Sequence, residues 1–116
     1  MIGDVAVISI WAEDVAETAH FYRDVLGLEL LHHFHAGRPH FKIGGAMLTI
    51  LKGKPQPAEN PEPPRFPIFA FRVSDLDQAV ARLEAHGVDL PWGVEGEAGS
   101  RWVMFHDPAG NLIELT

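Results

Sequence analysis

Apolar and polar positions follow one order along the chain, and they follow it twice. The segment VISIWAEDVAETAHFYRDVLGLEL (residues 7–30) lies over IFAFRVSDLDQAVARLEAHGVDL (residues 68–90). Each reads as a strand, an Asp, an amphipathic helix, a Gly and a second strand. Val15, Ala19, Tyr22 and Leu26 recur at helical spacing in the first copy, and Leu76, Ala79 or Val80, and Leu83 do so in the second. Asp14 with Glu17, and Asp75 with Gln78, have the N-cap and N3 spacing of a capping box with Asp at the cap. Gly27 and Gly87 are placed to supply the left-handed residue that ends each helix.

Apolar runs predict further strands near residues 28–34, 40–43 and 46–51 in the first half, and near 88–90, 101–105 and 111–115 in the second. Turn signals at AGRP, IGG and DPAG separate them. Between the halves lies KGKPQPAENPEPPRFP, whose prolines at 55, 57, 61, 63, 64 and 67 exclude a helix or a central strand. The expected class is therefore α+β: two βαβββ modules, residues 1–54 and 66–116, joined by a Pro-rich linker at 55–65 within a single domain. A half this small buries its sheet poorly alone, so pairing of halves or of chains, as in a homodimer, is expected.

Composition narrows the function classes. At 116 residues, with 47% apolar and 22% charged residues, the chain is an ordinary globule with room for one core. It has no cysteine, which excludes disulfides and thiolate-held metals. The formal charge of −7 and nine scattered Lys and Arg argue against nucleic acid as a partner. No apolar run approaches the roughly 20 residues that cross a bilayer. The start MIGDVAVISIW lacks a basic leader segment, so a cytoplasmic protein without a membrane partner is expected.

The repeat, with HFYRDVLGLEL after the first helix and DPAGNLIEL at the end, resembles the vicinal oxygen chelate superfamily over nearly the whole chain. That superfamily includes glyoxalase I, extradiol dioxygenases, and fosfomycin and bleomycin resistance proteins. The resemblance implies curved mixed sheets around a cavity. In metal-using members, four positions supply ligands: one on the first strand of each half, usually His or Gln, and one on the last strand, usually Glu. The first-strand position falls seven residues before the capping Asp, which gives Val7 and Ile68 here. The last-strand position in DPAGNLIELT is Glu114, and laying GGAMLTIL over AGNLIELT sets Thr49 opposite it. Two of the four are hydrocarbon and a threonine hydroxyl is a poor ligand, so no metal and no cofactor are expected at these positions.

Strand alternation sets Val5, Val7, Ser9 and Trp11 on one face, and Phe66, Ile68, Ala70 and Arg72 on the matching face of the second half. By the resemblance, this face lines the cavity and Glu114 sits near it. Three readings stay open for Glu114: an inert pair with Arg72 or a solvated remnant; a ligand-binding carboxylate with Trp11, Trp92 and Trp102 as flat walls for a cationic or aromatic molecule; or metal-free acid–base catalysis, for which no second group is evident. Trp92 opens PWGVEGEAGS, which reads as a mobile loop, and the facing of Trp102 is open.

LHHFHAGRPH offers a rival site. His33 and His35 are two apart in a strand, about 7 Å along one face, and His40 lies on the next strand. They could hold a displaced metal in a lyase or dioxygenase, or form the polar outside of a hairpin. His20 and His86 read as helix-surface residues, and His106 as a cap of the DPAG turn or a cavity-rim residue. The reading preferred on sequence is a small-molecule binder; the rivals are an enzyme using displaced His and Glu ligands, and a non-catalytic scaffold.

Overall fold

The computed structural model describes residues 1–31, 37–54 and 68–116. The chain divides into two compact units, Met1–Pro55 and Gln56–Thr116, each built around one four-stranded mixed sheet.

In the first unit, β1 (Val7–Ala12) leads into helix α1 (Val15–His20), followed by β2 (Glu29–Leu30), β3 (His40–Ile43) and β4 (Ala46–Lys52). The strand order is β1-β4-β3-β2, with β1 parallel to β4 and the other pairs antiparallel. The second unit repeats the plan with β5 (Phe69–Phe71), helix α2 (Leu76–Ala85), β6 (Val94–Glu97), β7 (Ser100–His106) and β8 (Leu112–Leu115). Its order is β5-β8-β7-β6, and β5 is parallel to β8. The parallel step follows from connectivity, because the first strand reaches the last only after the helix has reversed the chain.

Both helices begin as the sequence predicts. Asp14 Oδ1 accepts from the Glu17 amide, and Asp75 Oδ1 from the Gln78 amide, each at 3.0 Å. Gly27 and Gly87 both stand at φ 74°, where a side chain is strained. The end of α1 is less regular: residues Phe21–Val25 form a π-helical turn, closed by the Leu26 amide donating to the Phe21 carbonyl at 3.0 Å. Of the expected stripe Val15, Ala19, Tyr22 and Leu26, only Tyr22 is fully buried; the other three are half-buried, and Thr18 and Phe21 join Tyr22 in the core. The Tyr22 ring meets Phe21 edge-on at 5.7 Å and Phe41 at 6.1 Å, and α1 packs on β4.

The core of each unit lies on its helix-covered face: Ile10, Phe41, Leu48 and Ile50 in the first; Leu76, Leu83, Val103, Phe105, Ile113 and Leu115 in the second. Alternation along the strands turns every other residue to the opposite face, where the candidate site residues lie.

One expected strand is displaced. Residues 88–90 form no strand; the partner of β7 is β6, within the segment read as a loop. Pro91 and Gly93 punctuate that segment, and VEGE has weak strand propensity. Its pairing comes from the neighbouring Ser100–His106 strand, a contact invisible to local pattern. No helix among the described residues is long and apolar enough to cross a membrane.

Candidate functional site

In the second unit the ladder sets out one face residue by residue. Ala70 on β5 stands opposite Glu114 on β8, and Glu114 stands opposite Met104 on β7. Trp102, two residues before Met104, shares its face and pairs with Glu95 on β6. His106 is on the same side of β7, and Trp92 leans on its ring at a centroid distance of 6.0 Å. Ile68, just ahead of β5, is 45% exposed. The register therefore resolves the open facing of Trp102: it shares the Glu114 face.

Glu114 is half-buried. Among the described residues it forms no ion pair with Arg72, which is exposed just beyond β5. The inert pair weighed on sequence does not form. Arg101 points to the helix-covered side, where its Nη1 donates to Asp77 Oδ1 at 3.1 Å.

The strand that carries Glu114 is held at both ends. Asp107 is buried, and its Oδ1 accepts from the amides of Ala109 at 3.0 Å and Asn111 at 2.9 Å, while its Oδ2 accepts from Asn111 Nδ2 at 2.9 Å. This carboxylate, rather than His106, braces the DPAG turn. At the far end the Thr116 amide donates to the Phe71 carbonyl at 3.0 Å, and its hydroxyl donates to the Arg101 carbonyl at 3.0 Å.

The indole of Trp102 is seated by Gly96. A Cβ at Gly96 would lie 2.7 Å from Trp102 Cζ3 and 2.1 Å from the Ser100 carbonyl oxygen, and the residue adopts φ +89°. Gly53 seats Trp11 of the first unit in a comparable way, with a Cβ position 2.7 Å from Trp11 Cε3.

The first unit repeats the pattern with different chemistry. Val7, Ser9 and Trp11 face away from the core, and Trp11 is 51% exposed. Ser9 pairs with Thr49, and Thr49 with His40. Thr49 is buried and its hydroxyl donates to the Pro39 carbonyl at 3.0 Å. The His40 Nδ1–H donates to the Arg38 carbonyl at 2.9 Å, which leaves Nε2 as the ring's acceptor. His33 and His35 lie outside the described residues. His20 and His86 are exposed on their helices, with His20 Nδ1 at 2.6 Å from Asp24 and His86 Nδ1–H donating to the Arg82 carbonyl at 2.8 Å.

Residues 4–115 match the Glyoxalase/Bleomycin resistance protein/Dioxygenase superfamily. The chain belongs to this superfamily. It is 34% identical over 117 residues to the uncharacterized protein YaeR of Escherichia coli, covering 93% of this chain and 91% of that one. Among solved structures it is similar to a lactoylglutathione lyase from Agrobacterium tumefaciens, at 28% identity and a TM-score of 0.75 over 98% of this chain and 92% of that one. It is also similar to TnmS3, an antibiotic-binding protein from Streptomyces sp. CB03234, at 27% identity and a TM-score of 0.72 over 99% and 95% of the two chains.

Against that membership, the donor chemistry at the four positions named from the superfamily's metal site is informative. The register confirms that Thr49 and Glu114 are equivalent: each pairs with the residue two after the first-strand position, Ser9 and Ala70. Val7 and Ile68 have no lone pair to offer, and the Thr49 hydroxyl is engaged with Pro39. The four residues do not fit the kind of divalent site that is held by three or more protein ligands. Among the described residues, no group of three or more His, Asp and Glu gathers as a metal site.

Sequence reasoning placed Glu114 and Trp102 in the second unit, and Val7, Trp11 and Thr49 in the first, on the strands observed, while Ile68 and Arg72, read as strand residues, flank β5 at either end. It missed Glu95 and Met104. Nothing in VEGE distinguishes Glu95 from Glu97 until the pairing with Trp102 is known.

Proposed function

We propose that this superfamily member is a binding protein for a small organic molecule, cationic or aromatic, held on the Glu114 face without a metal ion. The observation that supports the reading is a half-buried carboxylate, not engaged by Arg72, on a sheet face shared with Trp102, while two of its three counterpart positions are hydrocarbon and the third, Thr49, has its hydroxyl engaged by Pro39. A carboxylate beside aromatic surface attracts a cation through both charge and the ring quadrupole. The name of TnmS3 supports the class, since a protein of the same fold at 27% identity is an antibiotic binder.

The test is a thermal-shift screen of cationic, aromatic and neutral compounds, with elemental analysis of protein purified without a His tag. Cationic aromatic compounds raise the melting temperature, and Glu114→Gln weakens them about tenfold, the equivalent of one lost charge-assisted contact of roughly 1.4 kcal/mol. A stoichiometric divalent metal in the purified protein, or equal binding by Glu114→Gln, refutes the reading.

A further inference from the structure

Glu95 is the least satisfied polar side chain of the described structure. Its Oε1 is buried and has no hydrogen-bond partner among the described residues. A buried carboxylate oxygen left without a donor is costly, and native proteins keep few such groups without a role. Arg101, on the adjacent strand, gives no relief: it is on the opposite face and bonded to Asp77. Glu95 itself stands directly across the ladder from Trp102, whose indole is seated against Gly96, the next residue in β6. β7 runs between Glu95 and Glu114, presenting Trp102 and Met104 to the same face. An acceptor without a donor therefore borders a strip of apolar surface.

We propose that Glu95 is a ligand-binding residue whose carboxylate, on turning out from its covered position, accepts a hydrogen bond from an N–H donor of the bound molecule. The ligand class that fits is a protonated amine or amidine carried on an apolar or aromatic body. The donor reaches Glu95 and the body lies along Trp102 and Met104. This rests on the small-molecule reading above and sharpens it, because it demands an N–H donor where charge alone would satisfy Glu114. It also separates Glu95 from a structural acid: a carboxylate that braces the fold loses partners when replaced, whereas the buried Oε1 has none among the described residues.

The experiment uses the full chain and three probes of one shape, titrated with amide and indole NMR resonances as the readout. They are benzylammonium, with three N–H donors; benzyltrimethylammonium, with the same charge and none; and neutral benzyl alcohol. Benzylammonium is expected to bind about tenfold more tightly than benzyltrimethylammonium and to shift the Trp102 indole and the Gly96 amide. Glu95→Gln is expected to lower its affinity about tenfold, and Glu95→Leu to abolish the preference for N–H donors. Without ligand, both variants should melt at or above the wild-type temperature. Equal binding of the two cations, unchanged affinity in Glu95→Gln, or no binding of any probe overturns the proposal. So does a fall in melting temperature of more than about 4 °C in Glu95→Gln, which would reveal a structural partner. If Glu114→Gln weakens benzylammonium and Glu95→Gln does not, Glu95 is excluded while the broader reading stands; the converse spares Glu95 and removes Glu114.

Discussion

Replacing Asp107 tests whether the turn before the last strand is braced by its carboxylate. The residue is 4% exposed, and its side chain accepts hydrogen bonds from the Ala109 and Asn111 amides and from the Asn111 side chain. Bonds to a charged group contribute about 1.5–3 kcal/mol each. Pro108 and Gly110 are exposed, so freed amides at this rim can turn to water and the simple sum overstates the loss. Asp107→Ala should therefore cost about 3 kcal/mol. For a chain of 116 residues the unfolding entropy makes 1 kcal/mol worth about 4 °C, so the melting temperature should fall by about 12 °C. Asp107→Asn keeps Oδ1 for the two amides but turns an NH₂ toward the Asn111 donor, and should cost about 1–2 kcal/mol, or about 4–8 °C. The assay is thermal and urea unfolding followed by far-UV circular dichroism, with the urea slope checked against wild type. A fall below about 4 °C for the Ala variant, or equal falls for both, would show that the carboxylate geometry does not hold the turn.

Gly96→Ala forces a Cβ to 2.1 Å from the Ser100 carbonyl at φ +89°, and should cost about 2–4 kcal/mol by denaturant unfolding while altering Trp102 fluorescence. Gly45→Ala, with nothing within 4 Å of the added methyl, is the control and should shift stability by no more than about 0.5 kcal/mol. The Arg23 hydrogen bond holds the Asp24 carboxyl below its ordinary value, with smaller help from His20. A depressed carboxylate stabilises above its unfolded value near 3.9 and loses that contribution as pH falls through the lower folded value. The stability gap between wild type and Asp24→Asn should thus be open at neutral pH, narrow below about pH 4 and shrink with added salt, the group being solvent-exposed. A gap that widens on acidification would reverse the sign of the assignment.

Some features were legible in the chain because they are local. The Asp caps, the Gly helix ends and the strands around residues 40–52 and 100–115 depend on neighbours within a few positions, and each recurs where the duplicated pattern sets it. The Thr49 and Glu114 equivalence was also readable, because the repeat carries its own register. What sequence could not assign was decided by partners distant along the chain. Gly-rich VEGE becomes a strand because Ser100–His106 offers it a ladder. That ladder alone turns Trp102 toward Glu114 and brings Glu95 opposite it. Phe21, absent from the helical periodicity, is buried on the π-helical turn, where its ring meets Tyr22, which in turn packs against Phe41. Local periodicity determines which elements form. Cross-strand pairing, which costs loop closure and is repaid only on contact, determines which side chains share a face.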